Sequence, residues 1–387
     1  MSARISRRKM MQSTGAAGVA AMSPRTMNAA AMPGPRFEGK DTPKICLEAS
    51  LPGYGPPPEN QDEAVAAAAR RIKQLGVEYV IAGMGRIPWN EEALKTLMDR
   101  YKAHGLTIGN IMIAGFNNAI YARPGRDEDI DKVIQSIKAA GKAGLPVVEY
   151  NWYAHRAMEG YFEEQGRAGA GWTGFDYERP SDVDGKQVPF KDLPPLPQEG
   201  AHSLDEMWAN ITYFLKAVVP VAEQAGVRLA LHPNDPPAPV SRGSQQIMGT
   251  VDGWKKLIEI VKSPSNGITF DCGVTKEMGQ DPVEVCRYFG SRDRINHVHF
   301  RNVKVQKPYE RYSEVFIDEG ENNMFAVMRE LVKVKYPRLI YPEHPRGLDY
   351  DRQRPNFRSQ YPGGGGYAAY AFNVGYARAM MQAALSA

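Results

Sequence analysis

Cysteine is scarce: three residues in 387, none in a CxxC or Cys/His zinc spacing, so neither a disulfide framework nor a structural zinc site is expected. Cys46 and Cys286 sit in apolar surroundings as inert core thiols, whereas Cys272 lies beside a candidate ligand. Long apolar runs are also missing. The stretch from Gly15 to Met22 falls far short of the ~20 residues that a bilayer span needs. No basic stripe with interleaved aromatics offers a nucleic-acid surface, and the net charge is only +4. No GxGxxG turn follows the first strand candidate, which argues against a doubly wound dinucleotide-binding sheet. What remains is an ordinary soluble composition, 43% hydrophobic and 24% charged, long enough for a large core.

From about residue 43 the pattern alternates short apolar runs with amphipathic segments. Strands are predicted at 44–49, 77–82, 106–113, 146–150, 228–232, 268–271, 295–299 and 338–342. Helices are predicted near 61–75, 90–104, 128–143, 203–225, 250–262, 281–290, 322–335 and 367–385. Eight strand–helix units predict an α/β fold, a (β/α)8 TIM barrel forming one catalytic domain. One connection is abnormally long: residues 151–202, rich in Pro, Gly and aromatics, read as a lid over the active site, with a surface excursion or an oligomer arm as the alternative.

The late strands carry the chemistry. Leu231-His232, Phe270-Asp271, Val298-His299 and Pro342-Glu343 each end an apolar run in a metal-ligand side chain. A buried histidine is more often satisfied by backbone, and a strand-end carboxylate often caps the next helix. Four consecutive strand ends of this kind nevertheless favour a shared metal shell at the barrel mouth. Its mixed N/O set suits Mn²⁺, Fe²⁺, Co²⁺ or Mg²⁺. Strand alternation sends Asp271 and Cys272 opposite ways, so at most one of them faces the metal easily. Arg301, two beyond His299, is expected at the mouth to grip a substrate carboxylate, with a structural ion pair as the alternative. His344 and Tyr367 are candidates for proton transfer.

The segment from Asn210 to Val227, running into Leu231-His232-Pro233-Asn234-Asp235-Pro236-Pro237, resembles the mannonate dehydratase family, whose PVAE helix precedes an HPDDPP turn. The likeness continues through His299-Phe300-Arg301-Asn302, Phe316-Ile317-Asp318-Glu319-Gly320, Pro342-Glu343-His344 and the Gly-rich turn before Tyr367. It covers roughly residues 205–385; the first half matches only around Tyr150-Asn151-Trp152. The resemblance implies dehydration of D-mannonate to 2-keto-3-deoxy-D-gluconate with Mn²⁺ or Fe²⁺. It also implies His232, His299 and Glu343 as ligands, with His344 and Tyr367 in catalysis. The chain departs from the pattern at Asp271, where the family has cysteine, at Glu343, where it has Asp, and at Ser313, where it has His. Glu149 replaces a small residue, and the early His-His pair and ESVPxHEDIK segment have no counterpart.

The alternatives are a metal-dependent sugar isomerase or epimerase of the xylose-isomerase-like superfamily, and an exported sugar-binding protein. A small sugar acid or sugar is the expected partner, with no nucleic acid and no membrane, and with homo-oligomers common among such barrels. Ser6-Arg7-Arg8-Lys9-Met10-Met11, the apolar stretch and Ala29-Ala30-Ala31 together resemble a twin-arginine export signal. A disordered basic tail is the bland alternative. The signal implies the twin-arginine translocation machinery and a periplasmic enzyme, or a cytoplasmic one if the signal is unused. Residues 1–40 are therefore set apart from the barrel at 41–387.

Overall fold

The computed structural model describes residues 38–50, 60–355 and 357–387; the twin-arginine-like segment lies outside them. Eight parallel strands close a barrel. They are β1 (Lys44–Glu48), β2 (Tyr79–Ala82), β3 (Thr107–Ile113), β4 (Val147–Tyr150), β5 (Arg228–Leu231), β6 (Asn266–Asp271), β7 (Ile295–His299) and β8 (Leu339–Tyr341). Neighbours in space are neighbours in sequence, and Lys44 pairs with Leu339 to close the ring. The strands are short because each is buried on both faces, inside by barrel side chains and outside by helices.

The helices form where the sequence places start and stop signals. Asn60, Asn90 and Ser203 cap the helices Gln61–Gln74, Glu91–Ala103 and Leu204–Ala225, and Ser203 with Glu206 completes a capping box. Met207, Trp208, Ile211, Phe214, Leu215, Val218, Val219 and Ala222 recur at helical spacing and are all buried. Gly226 ends this helix at φ +69°, a conformation that glycine adopts without strain. No helix among the described residues is long and apolar enough to cross a membrane.

The long connection after β4 is not a loop. Tyr161–Gln165 and Gly171–Asp176 pair with two strands from the connection after β7, Asn302–Lys307 and Arg311–Val315, in one four-stranded antiparallel sheet. Phe175, Phe190, Tyr161, Tyr177 and Tyr312 give this excursion its own small core. Pro180–Val183 and Lys186–Pro189 form a further hairpin.

Within the first excursion His155 joins two parts of the chain: Nδ1 lies 2.7 Å from Glu199 Oε2 and Nε2 lies 3.1 Å from Glu159. Arg242 Nε donates to the same Glu159 at 2.6 Å. Burial lowers the His155 pKa, but Glu159 and Glu199 outweigh it and hold the pKa above its ordinary 6.5. Burial raises that of Glu159, but His155 and Arg242 outweigh it and bring the pKa to about 2. The cluster therefore stabilises the excursion fully between the ordinary pKa values of the two groups, about 4.5 and 6.5. Stabilisation declines as pH rises through the raised His155 pKa, or falls from 4.5 toward 2. Hydrogen exchange of amides 158–165 should accelerate above neutrality, and His155→Gln should abolish that alkaline dependence.

Candidate active site

The C-terminal ends of five barrel strands meet around His299. His232 follows β5, Asp271 and His299 end β6 and β7, and Glu343 lies two residues beyond β8. His299 Nδ1 is 3.2 Å from His232 Nε2, 3.1 Å from Glu343 Oε1 and 3.7 Å from Asp271 Oδ2. The β6–β7 pairing sets Asp271 directly beside His299. All four residues are buried, so the side chains expected to share a site do converge. A fifth joins them from β4: Glu149 Oε1 lies 3.7 Å from His299 Nε2. Asn110 and Thr269 donate to its two carboxylate oxygens at 2.7 and 2.6 Å.

Each imidazole has a defined role. His232 Nδ1 lies 2.7 Å from the Pro233 carbonyl, which can only accept, so Nδ1 carries the proton and the Nε2 lone pair faces His299. Burial, and then the His299 charge, lower the His232 pKa to about 4. Burial also lowers that of His299, but Glu343, Asp271 and Glu149 outweigh it and hold the pKa well above the usual range. Asp271 serves two functions: Oδ1 caps the helix Cys272–Glu277 through Val274 N at 2.9 Å, while Oδ2 faces His299. Cys272 is fully buried among apolar side chains, and burial pushes its thiol well up.

Arg301 takes the structural alternative rather than the mouth. It is 2% exposed, lies off the cavity wall, and holds five carboxylates. Nε is 3.1 Å from both Asp271 and Glu343, Nη1 is 2.6 Å from Glu277 and 3.6 Å from Glu314, and Nη2 is 3.4 Å from Asp235. The two-residue alternation from His299 fails because β7 stops at His299, and Asn302 already begins the excursion sheet. Gly273 makes the room: a Cβ there would stand 2.5 Å from Arg301 Nη1.

His344 does face the cavity, at the left-handed φ of +45°. Such a backbone in a non-glycine residue is held by its surroundings and concentrates at functional sites. Here Nδ1 is 2.7 Å from Glu314 Oε2, and the Tyr361 ring lies 4.4 Å away. Burial lowers the His344 pKa, yet Glu314 and Glu343 outweigh it and raise it. Tyr367 does not join this group. It opens the last helix, Tyr367–Ser386, and its hydroxyl donates to the Arg71 carbonyl at 2.9 Å. The tyrosines on the cavity wall are Tyr153, Tyr341, Tyr361 and Tyr370.

Glu149 and Glu314 were missed from the sequence. Glu149 had a signal, since it too is a carboxylate near the end of an apolar strand. Glu314 had none of that kind, because it reaches the site through the excursion sheet. The cavity above these groups has a volume of about 460 Å³, within the range of small-molecule pockets.

Comparison with known proteins places the chain in a family. The profile of the D-mannonate dehydratase (UxuA) family matches residues 61–384. A mannonate dehydratase of Thermotoga petrophila is 28% identical over 330 residues, covering 74% of this chain and 88% of its own. One from Streptococcus equi subsp. zooepidemicus is 29% identical over 306 residues, covering 72% and 82%. The crystal structure of mannonate dehydratase from Streptococcus suis serotype 2 superposes with a TM-score of 0.72 at 25% identity, covering 89% of this chain and 95% of that one. A xylose isomerase-like TIM barrel protein from Mycobacterium smegmatis, in complex with magnesium, shares the fold, with a TM-score of 0.56 at 14% identity and coverage of 89% and 98%. The chain belongs to the D-mannonate dehydratase family, a family of metal-dependent hydro-lyases acting on sugar acids.

Removing the guanidinium leaves its carboxylates buried and unpaired. Arg301→Met should therefore cost about 3–5 kcal/mol in urea unfolding, whereas Arg228→Met, a partly exposed pair with Asp293, should cost about 1 kcal/mol or less.

Proposed function

We propose that the chain converts D-mannonate to 2-keto-3-deoxy-D-gluconate, using a divalent cation of the Mn²⁺ or Fe²⁺ type. The observation that carries this reading is the convergence of two imidazoles and three carboxylates at the mouth of a barrel of this family. The donor set fits such a cation. His232 offers a fixed Nε2 lone pair, and the donors fall in two close groups that share His299: Glu149 with His232, and Asp271 with Glu343. Mixed N/O donors of this kind favour manganese or iron over structural zinc. Glu149 stands as a further oxygen donor on the far side of His299. Bound there, the cation would act as a Lewis acid, making the C2 proton of the sugar acid easier to remove.

The protein's own groups handle the protons. His344 is oriented by Glu314, and its Nε2, 3.6 Å from Glu343 Oε2, is the atom to take the C2 proton. The C2–H and C3–O bonds break, and the proton held on Nε2 passes to the departing C3 hydroxyl, which leaves as water. The resulting enol becomes the 2-keto acid. Arg301 acts beneath this surface by keeping Asp271 ionised, and it adds to His299 and His344 in keeping Glu343 so. The twin-arginine-like stretch supports folding and metal loading in the cytoplasm, followed by export to the periplasm.

Metal-loaded protein is tested against D-mannonate with a panel of aldonates and aldoses. A 2-keto-3-deoxy acid is the expected product, and an isomerised sugar without loss of water sinks the proposal. Asp271→Ala should lose metal by elemental analysis while Cys272→Ala keeps it. His344→Gln should retain metal but lose about 10²-fold or more in kcat. Replacing Arg7 and Arg8 by Lys should hold the protein in the cytoplasm on cell fractionation.

A further inference from the structure

We infer that Arg358 recognises the substrate carboxylate and so sets the preference for a sugar acid over the uncharged sugar alcohol of the same shape. The inference rests on the sugar-acid reading above and deepens it. The cavity wall is acidic: Glu48, Glu149, Asp235 and Glu343 all face it. An anionic substrate entering this field needs a cation on the wall with donors to spare. Arg301, the expected group, is buried, lies off this wall and turns its Nε and Nη1 to Asp271, Glu343 and Glu277.

Three arginines line the cavity: Arg156, Arg346 and Arg358. Arg346 is 1% exposed and spent on the His344 carbonyl at 2.7 Å, Thr173 Oγ1 at 2.6 Å and Glu314 Oε2 at 3.1 Å. Arg156 is committed to the Asp235 carbonyl at 2.9 Å and the Tyr361 hydroxyl at 3.0 Å. Arg358 is exposed, and its one hydrogen bond among the described residues runs from Nη1 to the carbonyl of Phe357 at 2.8 Å. Its Nε and Nη2 edge is left to offer the paired donors that match a carboxylate.

The segment carrying Arg358 is anchored rather than free. Three residues on, Tyr361 is held by Arg156, lies against the His344 ring and donates its backbone N–H to Ser359 Oγ at 3.3 Å. Arg358 lies exposed on the wall of a cavity that buried His299 and Glu343 also line. Because Tyr361 lies against His344, a carboxylate gripped by Arg358 would leave C2, one bond further on, on the His344 side of the cavity.

Calorimetry on manganese-loaded full-length protein tests this by comparing D-mannonate and D-gluconate with mannitol, an uncharged counterpart, in wild type, R358Q and R358K. Wild type should prefer the acids. R358Q should weaken acid binding by about ten- to hundred-fold, leave mannitol unchanged, and keep the unfolding temperature. R358K should recover part of the loss, and in turnover the effect should fall on KM rather than kcat. Equal affinity of wild type for acid and alcohol, unaltered acid binding in R358Q, or parallel loss of both ligands overturns the assignment. The dehydratase reading fails separately, if wild type dehydrates no aldonate, because the Arg358 comparison is read from affinities alone.

Discussion

One buried guanidinium makes the acidic side of this barrel mouth tenable. Asp235, Asp271, Glu277, Glu314 and Glu343 all fall within 3.6 Å of Arg301, in a region with almost no access to water. Carboxylates at such separations repel one another strongly, and burial adds a desolvation cost to each charge. Arg301 lets Asp271 stay ionised there, and with His299 and His344 it does the same for Glu343; that is the state in which oxygen donors hold a metal. Space for it comes from Gly273, and direction comes from the end of β7. Placed underneath, it supports Asp271 and Glu343 from behind.

A second constraint is division between elements. The shell side chains come from the ends of barrel strands, whose positions follow from the hydrogen-bonded ladder. The partner that orients His344 comes from elsewhere: Glu314 lies on a strand of the excursion sheet, and Arg346 bridges the same sheet through Thr173 and Glu314. His155, with Glu159, Glu199 and Arg242, ties the first excursion to segments that follow it. The cavity is therefore floored by the barrel and walled by insertions.

The barrel was legible in the sequence because its strands are short, doubly buried and separated by capped amphipathic helices, so local pattern and global fold agree. The convergence of His232, Asp271, His299 and Glu343 was legible for the same reason, since all four sit at or just past equivalent strand ends. Legibility stopped where a residue's direction depends on partners distant in sequence. Arg301 follows the strand alternation only on paper, because the strand ends before it. Tyr367 sits on the first turn of its helix and meets Arg71 instead of the cavity. Glu149 and Glu314 acquire their roles from Asn110, Thr269 and His344, pairings that no local spacing reveals. The 151–202 segment holds two local hairpins, but the pairing that builds them into a sheet, Gly171–Asp176 with Arg311–Val315, joins strands more than a hundred residues apart.

The excursion sheet has a consequence for how such an enzyme changes over time. Its two halves leave the barrel after different strands and pair with each other, so its outer strands, Tyr161–Gln165 and Asn302–Lys307, can be remodelled without disturbing the barrel ladder. Metal retention and proton management are then separable traits of one chain. A lineage could keep the floor and rewrite the walls, acquiring a new preferred substrate while the electrophile stays in place.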